Sequence, residues 1–163
     1  VQLWRGNAYI KANRLEVSSQ DNRLNADGNV QSNIEAIRAV SDKLEYDDAR
    51  QVAHYGGNVR AQKQDMVLHA SDMVVKLRER GVDEITANGA VVVEQGGRHG
   101  VGERAVFDAA TGSVVLTGQT AEVRDTERGT VRGSRLIMKA NGDTMTAEGE
   151  NAARSVTKHT VKR

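Results

Sequence analysis

Ala26-Asp27-Gly28-Asn29-Val30 returns as Tyr55-Gly56-Gly57-Asn58-Val59, and the same short phrase recurs around Gly89, Gly118 and Gly149. These five glycines are separated by 29, 32, 29 and 31 residues. Upstream of each glycine lies a second anchor, a small residue followed three and five places later by apolar ones. It reads Ala12-x-x-Leu15-x-Val17, Ser41-x-x-Leu44-x-Tyr46, Ala70-x-x-Met73-x-Val75, Gly102-x-x-Ala105-x-Phe107 and Gly133-x-x-Leu136-x-Met138. From apolar anchor to glycine is 13 residues in four units and 16 in the third. A fixed period of about 30 residues means one supersecondary unit stacked on copies of itself. Five such units fill the 163 residues as a single domain spanning 1–156, with a basic tail at 157–163 that lacks the anchors and is expected to fray.

Periodicity alone pulls one segment the other way. Ile34, Ile37, Ser41 and Leu44 fall at helical spacing in a stretch rich in Ala, Glu, Arg and Lys. The repeat overrules this, because the aligned segment from Val131 to Gly149 alternates as a strand and carries the hairpin pair Asn141-Gly142. Turn residues fall at matching places elsewhere, at Gln20-Asp21-Asn22, Glu79-Arg80-Gly81, Gln95-Gly96-Gly97, Ala110-Thr111-Gly112 and Asp125 to Gly129. Each unit is therefore two strands and two turns, about ten strands in all, and the recurrent glycines mark bends or bulges where strands turn a corner.

Alternation places Leu15, Val17, Leu44, Tyr46, Met73, Val75, Leu77, Ala105, Phe107, Leu136 and Met138 on one face, continued by Val30, Val59, Val91 and Val93. Their neighbours on the other face, among them Arg14, Glu16, Lys43, Glu45, Lys76, Arg104, Arg135 and Lys139, are charged. An elongated all-β structure with an apolar interior and a charged skin follows. The interior is either closed on itself as packed core or left as a groove for an apolar ligand.

Composition excludes several functions. Net charge is +1, without a run of five like charges, so no nucleic-acid footprint is present. Without cysteine there is no thiolate chemistry or disulfide, and five aromatics are too few for stacking platforms. No segment has the roughly 20 apolar residues of a membrane helix. The start at Val1, without an initiator methionine or apolar leader, suggests a processed or excised piece. Trp4-Arg5-Gly6-Asn7-Ala8 reads as a glycine strand whose own anchor strand is missing. His69 with Asp65 and Asp72 is the sharpest enzymatic suspicion, but on a strand His69 points to solvent. His54, His99 and His159 are read as turn or tail residues without a carboxylate partner. Asp47-Asp48 reads as a solvated turn and Gly96-Gly97-Arg98-His99-Gly100 as a hairpin, not a phosphate loop. No enzyme, metal or cofactor is expected.

The span from Leu68-His69-Ala70-Ser71-Asp72-Met73 through Val114-Val115-Leu116-Thr117-Gly118 to Val131-Arg132-Gly133-Ser134-Arg135-Leu136 resembles the LptA/OstA family of lipopolysaccharide-transport proteins. That family includes LptA, the periplasmic domain of LptC and the amino-terminal domain of LptD. The resemblance implies a β-jellyroll, a folded V-section antiparallel sheet, in the periplasm of a Gram-negative bacterium. It implies a carrier that shields lipid A acyl chains in its apolar groove and bridges the two membranes by head-to-tail assembly with other jellyrolls through edge strands. The fifteen inward residues named above become candidate acyl-chain contacts, with Tyr46, Phe107, Leu136 and Met138 foremost. The alternative from another class is a closed, self-associating β-solenoid with no lipid ligand. A polysaccharide-cleaving β-helix ranks last, because the carboxylates are scattered over turns and outward positions.

Overall fold

A computed structural model describes residues 2–5, 8–18, 20, 22–63, 65–78, 81–126, 129–139 and 145–148. The described residues form twelve strands and no helix. In chain order they are β1 (Gln2–Arg5), β2 (Ala8–Lys11), β3 (Arg14–Ser18), β4 (Arg23–Ile34), β5 (Ile37–Asp47) and β6 (Val52–Lys63). There follow β7 (Met66–Arg78), β8 (Gly81–Gln95), β9 (Arg98–Asp108), β10 (Ser113–Asp125), β11 (Gly129–Lys139) and β12 (Met145–Glu148). From β4 onward every strand pairs antiparallel with the next, while β2 and β3 share β4 as partner, one at each end. β1 pairs with β2. The expectation of about ten strands undercounted because the first unit is broken at Ala12-Asn13 and contributes β1, β2 and β3.

Each long strand is bent near its middle. The pairing register slips at Asp27/Val30, Val40/Lys43, Gly56/Val59, His69/Asp72, Asn88/Val91, Thr117/Glu122 and Thr117/Ala121, near the middle of each pair of long strands. Aligned across the sheet, the slips make a crease that divides it into two arms. Gly57 shows why glycine recurs there. Its φ is +81°, followed by Asn58 at +48°, and a β-carbon on it would lie 2.5 Å from Asp42 Oδ2 across the crease. Gly28 and Gly89 take the same backbone shape, opposite Asn13 and Ser71. Gly118 faces Glu103 without the left-handed backbone.

The slip also explains the second anchor. Ser41 and Leu44 are both buried, although three apart, because the corner takes up one residue and switches the alternation. Ala70 with Met73, and Gly133 with Leu136, repeat it. A tight turn at Glu35-Ala36, both left-handed with φ of +50° and +68°, joins Ile34 to Ile37. Turn plus corner thus mimics helical spacing over Ile34, Ile37, Ser41 and Leu44 in what is a hairpin. The longer third unit has its own cause: a second slip at Lys76/Leu77 extends β7 and β8. Asn141-Gly142, Gly149 and the tail at 157–163 lie outside the described residues.

The two arms face each other with their apolar sides and form one core. Arm one carries Ile10, Val30, Ile34, Ile37, Ala61, Met66, Leu68, Val91, Val93 and Val123; arm two carries Leu24, Leu44, Tyr55, Met73, Val75, Ile85, Leu116, Leu136 and Met138. The packing is close. A β-carbon on Gly100 in arm one would lie 2.6 Å from Leu116 Cδ1 and 3.6 Å from Met138 Sδ in arm two.

Candidate functional site

Twelve of the fifteen residues expected on the inner face are buried there: Val30, Leu44, Tyr46, Val59, Met73, Val75, Leu77, Val91, Val93, Ala105, Leu136 and Met138. Leu15 and Phe107 are half-buried against the same core. Val17 shares the face but is 53 % exposed, because among the described residues β3 pairs only with β4 and no strand covers its free side. Sequence reasoning missed much of the interior, notably Leu24, Ile37, Tyr55, Leu68, Ile85, Val114 and Leu116. The available signal was the alternation beyond each corner, once the one-residue switch is allowed.

Opposite the crease, the rims of the two arms meet along a seam. At its middle is a cleft lined by Ile37, Ala61, Gln62, Lys63, Met66 and Leu68 from arm one. Met73, Ile85, Ala105, Phe107 and Val114 line it from arm two. The walls are apolar apart from Gln62 and Lys63. The cleft is narrow, with free space for little more than a water-sized group. Lys63 continues the inward row of Val59 and Ala61 on β6, and its Nζ lies 6.0 Å from the Phe107 ring centroid across the mouth.

Polar groups interrupt the interior at several points, among them a hydroxyl pair and an ion pair. The hydroxyls of Ser32 in arm one and Tyr55 in arm two are 2.8 Å apart and hydrogen-bonded, fully inside. Burial pushes the Tyr55 phenol up to about 12, against the smaller opposing effect of the Ser32 bond. At the rim of arm one, on β9 and β10, Arg98 Nε donates to Asp125 Oδ2 at 3.2 Å, with side chains only 4 % and 11 % exposed. Beside them Gln95 Oε1 is buried without a hydrogen-bond partner.

The outer skin is charged as expected, but the histidine assignments change. His54 and His99 are strand residues, not turn residues, and each has a carboxylate partner. His54 Nε2 is 2.8 Å from Asp72 Oδ1, and His99 Nδ1 is 3.3 Å from Glu94 Oε2. The sequence reading failed because the partners sit on adjacent strands, far away in sequence for His54. His69 is exposed, as alternation predicts. Among the described residues, no three acidic or histidine side chains gather as a metal site. Asp47 and Asp48 are held in their turn by contacts with Arg50, Gln51 and Tyr46. Glu122 sits below the usual carboxylate range because Arg132 donates to it at 2.6 Å.

A bent antiparallel sheet with its apolar face folded inward is a known architecture, and the family model that matches residues 38–144 is that of the LptA/(LptD N-terminal domain) LPS transport protein. The chain belongs to the LptA/LptD N-terminal domain family. The match spans β5 to the end of β11 and well over half of the chain. Among solved structures, the chain is similar to LptH of Pseudomonas aeruginosa, described as the LptA-homologous periplasmic component of the lipopolysaccharide transport device. The TM-score is 0.65 at 20 % identity, covering 78 % of this chain and 95 % of LptH, a likeness of fold. No curated protein matches the sequence. As a member of the LptA/LptD N-terminal family, the chain has an LPS-transport lineage; its fold is all-β, as the repeat predicts, and is the jellyroll that the resemblance implies.

Proposed function

We propose that this protein is a non-enzymatic periplasmic carrier that holds the acyl chains of lipopolysaccharide between the two arms of its sheet. The observation that carries this reading is the seam cleft, which opens from solvent directly onto the continuous apolar interior between Met66 and Phe107. The inward row from Leu44 and Tyr46 through Met73, Val75 and Leu77 to Leu136 and Met138 supplies the wall against which chains would lie. Leu15, Val17, Val30, Val59, Val91, Val93 and Ala105 complete it. Because the cleft is narrow, the arms part as a chain enters, exchanging protein contacts for lipid contacts of similar apolarity.

Bridging between the inner and outer membranes of a Gram-negative cell follows from the free strand edges. Among the described residues β1 and β3 each pair on one side only, and Trp4 and Val17 in them are 72 % and 53 % exposed. Edges of this kind add strands from a second jellyroll, a copy of this chain or another member of the family, giving concentration-dependent head-to-tail association. The packed interior favours a second reading, a closed self-associating β structure with no ligand, in which Tyr55 and Leu116 are simply core.

Photo-crosslinking to lipopolysaccharide separates the two. A probe at Phe107, on the cleft, is expected to capture the lipid while a probe at the exposed Arg104 does not. Silence at both positions in a folded protein would leave the closed structure standing.

A further inference from the structure

Lys63 is out of place in its own row. It is half-buried, it follows Val59 and Ala61 on the inward side of β6, and among the described residues it is the one charged side chain lining the cleft. Among the described residues no carboxylate pairs with it; its ammonium group rests instead against the Phe107 ring at 6.0 Å. Elsewhere in the interior the strands manage charge differently, since Arg98 is matched with Asp125. An inward cation without a counter-ion loses hydration and gains only a long cation–π contact. Its placement at the lip of an apolar cleft complements a ligand that is apolar in its body and anionic at its head.

We propose that Lys63 is the head-group determinant of the site. In this assignment it leaves the Phe107 ring and pairs with a phosphate on the polar head of an acylated lipid whose chain passes between Met66 and Phe107. The inference rests on the carrier reading and deepens it, by naming the residue that meets the polar head of the lipid. The geometry suits the pairing, because a flexible four-carbon stem lets the ammonium reach outward while its methylenes stay against the apolar wall.

The test uses the intact chain and two probes, bis-phosphorylated lipid A and the same lipid with both phosphates removed, each displacing a bound fluorescent fatty acid. A partly exposed charge-assisted contact is expected to favour the phosphorylated lipid about tenfold. Lys63→Gln should bring the two lipids within about twofold by weakening only the phosphorylated one, and Lys63→Arg should keep most of the preference. Circular dichroism of each variant confirms that the sheet is retained. Equal binding of both lipids by the unaltered protein overturns the proposal and leaves the carrier intact. So does an undiminished preference in Lys63→Gln. Displacement of the fatty acid by millimolar inorganic phosphate alone would assign the site to the free anion and overturn it too. Failure of both lipids to bind would remove the carrier reading and Lys63's role with it.

Discussion

Removing the Ser32–Tyr55 hydrogen bond tests whether the arms are held together at that point. The two hydroxyls are 2.8 Å apart, join opposite arms, and are both buried, so each is the other's replacement for water. Tyr55→Phe strands the Ser32 hydroxyl and is expected to cost about 1–2 kcal/mol. Ser32→Ala strands a phenol that is only 1 % exposed and is expected to cost about 1–3 kcal/mol. The double variant removes both polar groups and should cost less than the two singles together, giving a coupling of roughly 1–2 kcal/mol in a double-mutant cycle. Urea titration measures these differences, and each kcal/mol should also lower Tm by about 2–4 °C. A pH series adds an independent check. The phenol titrates near 10 when unfolded and is pushed up to about 12 in the fold, so the folded state favours the neutral form. That advantage is fully present below pH 10 and is lost as pH rises from 10 to 12, by up to roughly 3 kcal/mol. Stability should therefore fall more steeply across this window in the unaltered protein than in Tyr55→Phe. Additive single costs would show that the hydroxyls do not act as a pair, and parallel alkaline profiles would show that the phenol is not buried as the structure has it. If the arms part for a lipid chain, the double variant should also bind lipid more tightly, since its interior gives up no hydrogen bond on opening.

Three further outcomes follow from the geometry. Gly57→Ala should cost about 2–3 kcal/mol in urea titration, because φ is +81° and Asp42 fills the space, whereas the adjacent Gly56→Ala, with only Asp72 Oδ1 at 3.8 Å, should stay within about 0.5 kcal/mol. Arg98→Met leaves Asp125 nearly buried without its ion-pair partner and should cost roughly 3 kcal/mol, most of it recovered by Arg98→Met with Asp125→Leu. Val17→Lys, on the free edge beyond β4, should shift sedimentation toward monomer at high concentration while changing unfolding by less than about 0.5 kcal/mol. Unchanged association in that variant would place the assembly contact elsewhere.

The sequence by itself determined the all-β repeat and one inward row of the inner face, from Val30 and Leu44 to Leu136 and Met138. The physical reason is that a corner demands special residues: a left-handed backbone favours glycine at Gly28, Gly57 and Gly89, and at all three and at Gly118 the side chain packed across the corner leaves no ordinary room for a β-carbon. Those demands recur every 30 residues or so and stay visible even where hydrophobicity is ambiguous, as at Ile34 to Leu44. The tertiary structure decided what local pattern cannot carry. Whether Val17 is covered depends on a strand lying beside β3, and among the described residues none does. His54 meets Asp72, Ser32 meets Tyr55 and Lys63 meets Phe107 only because antiparallel pairing and the fold of the sheet bring distant segments together. Alternation assigns a side chain to a face; the closing of one arm on the other determines how tightly that face is filled and where along the seam it opens.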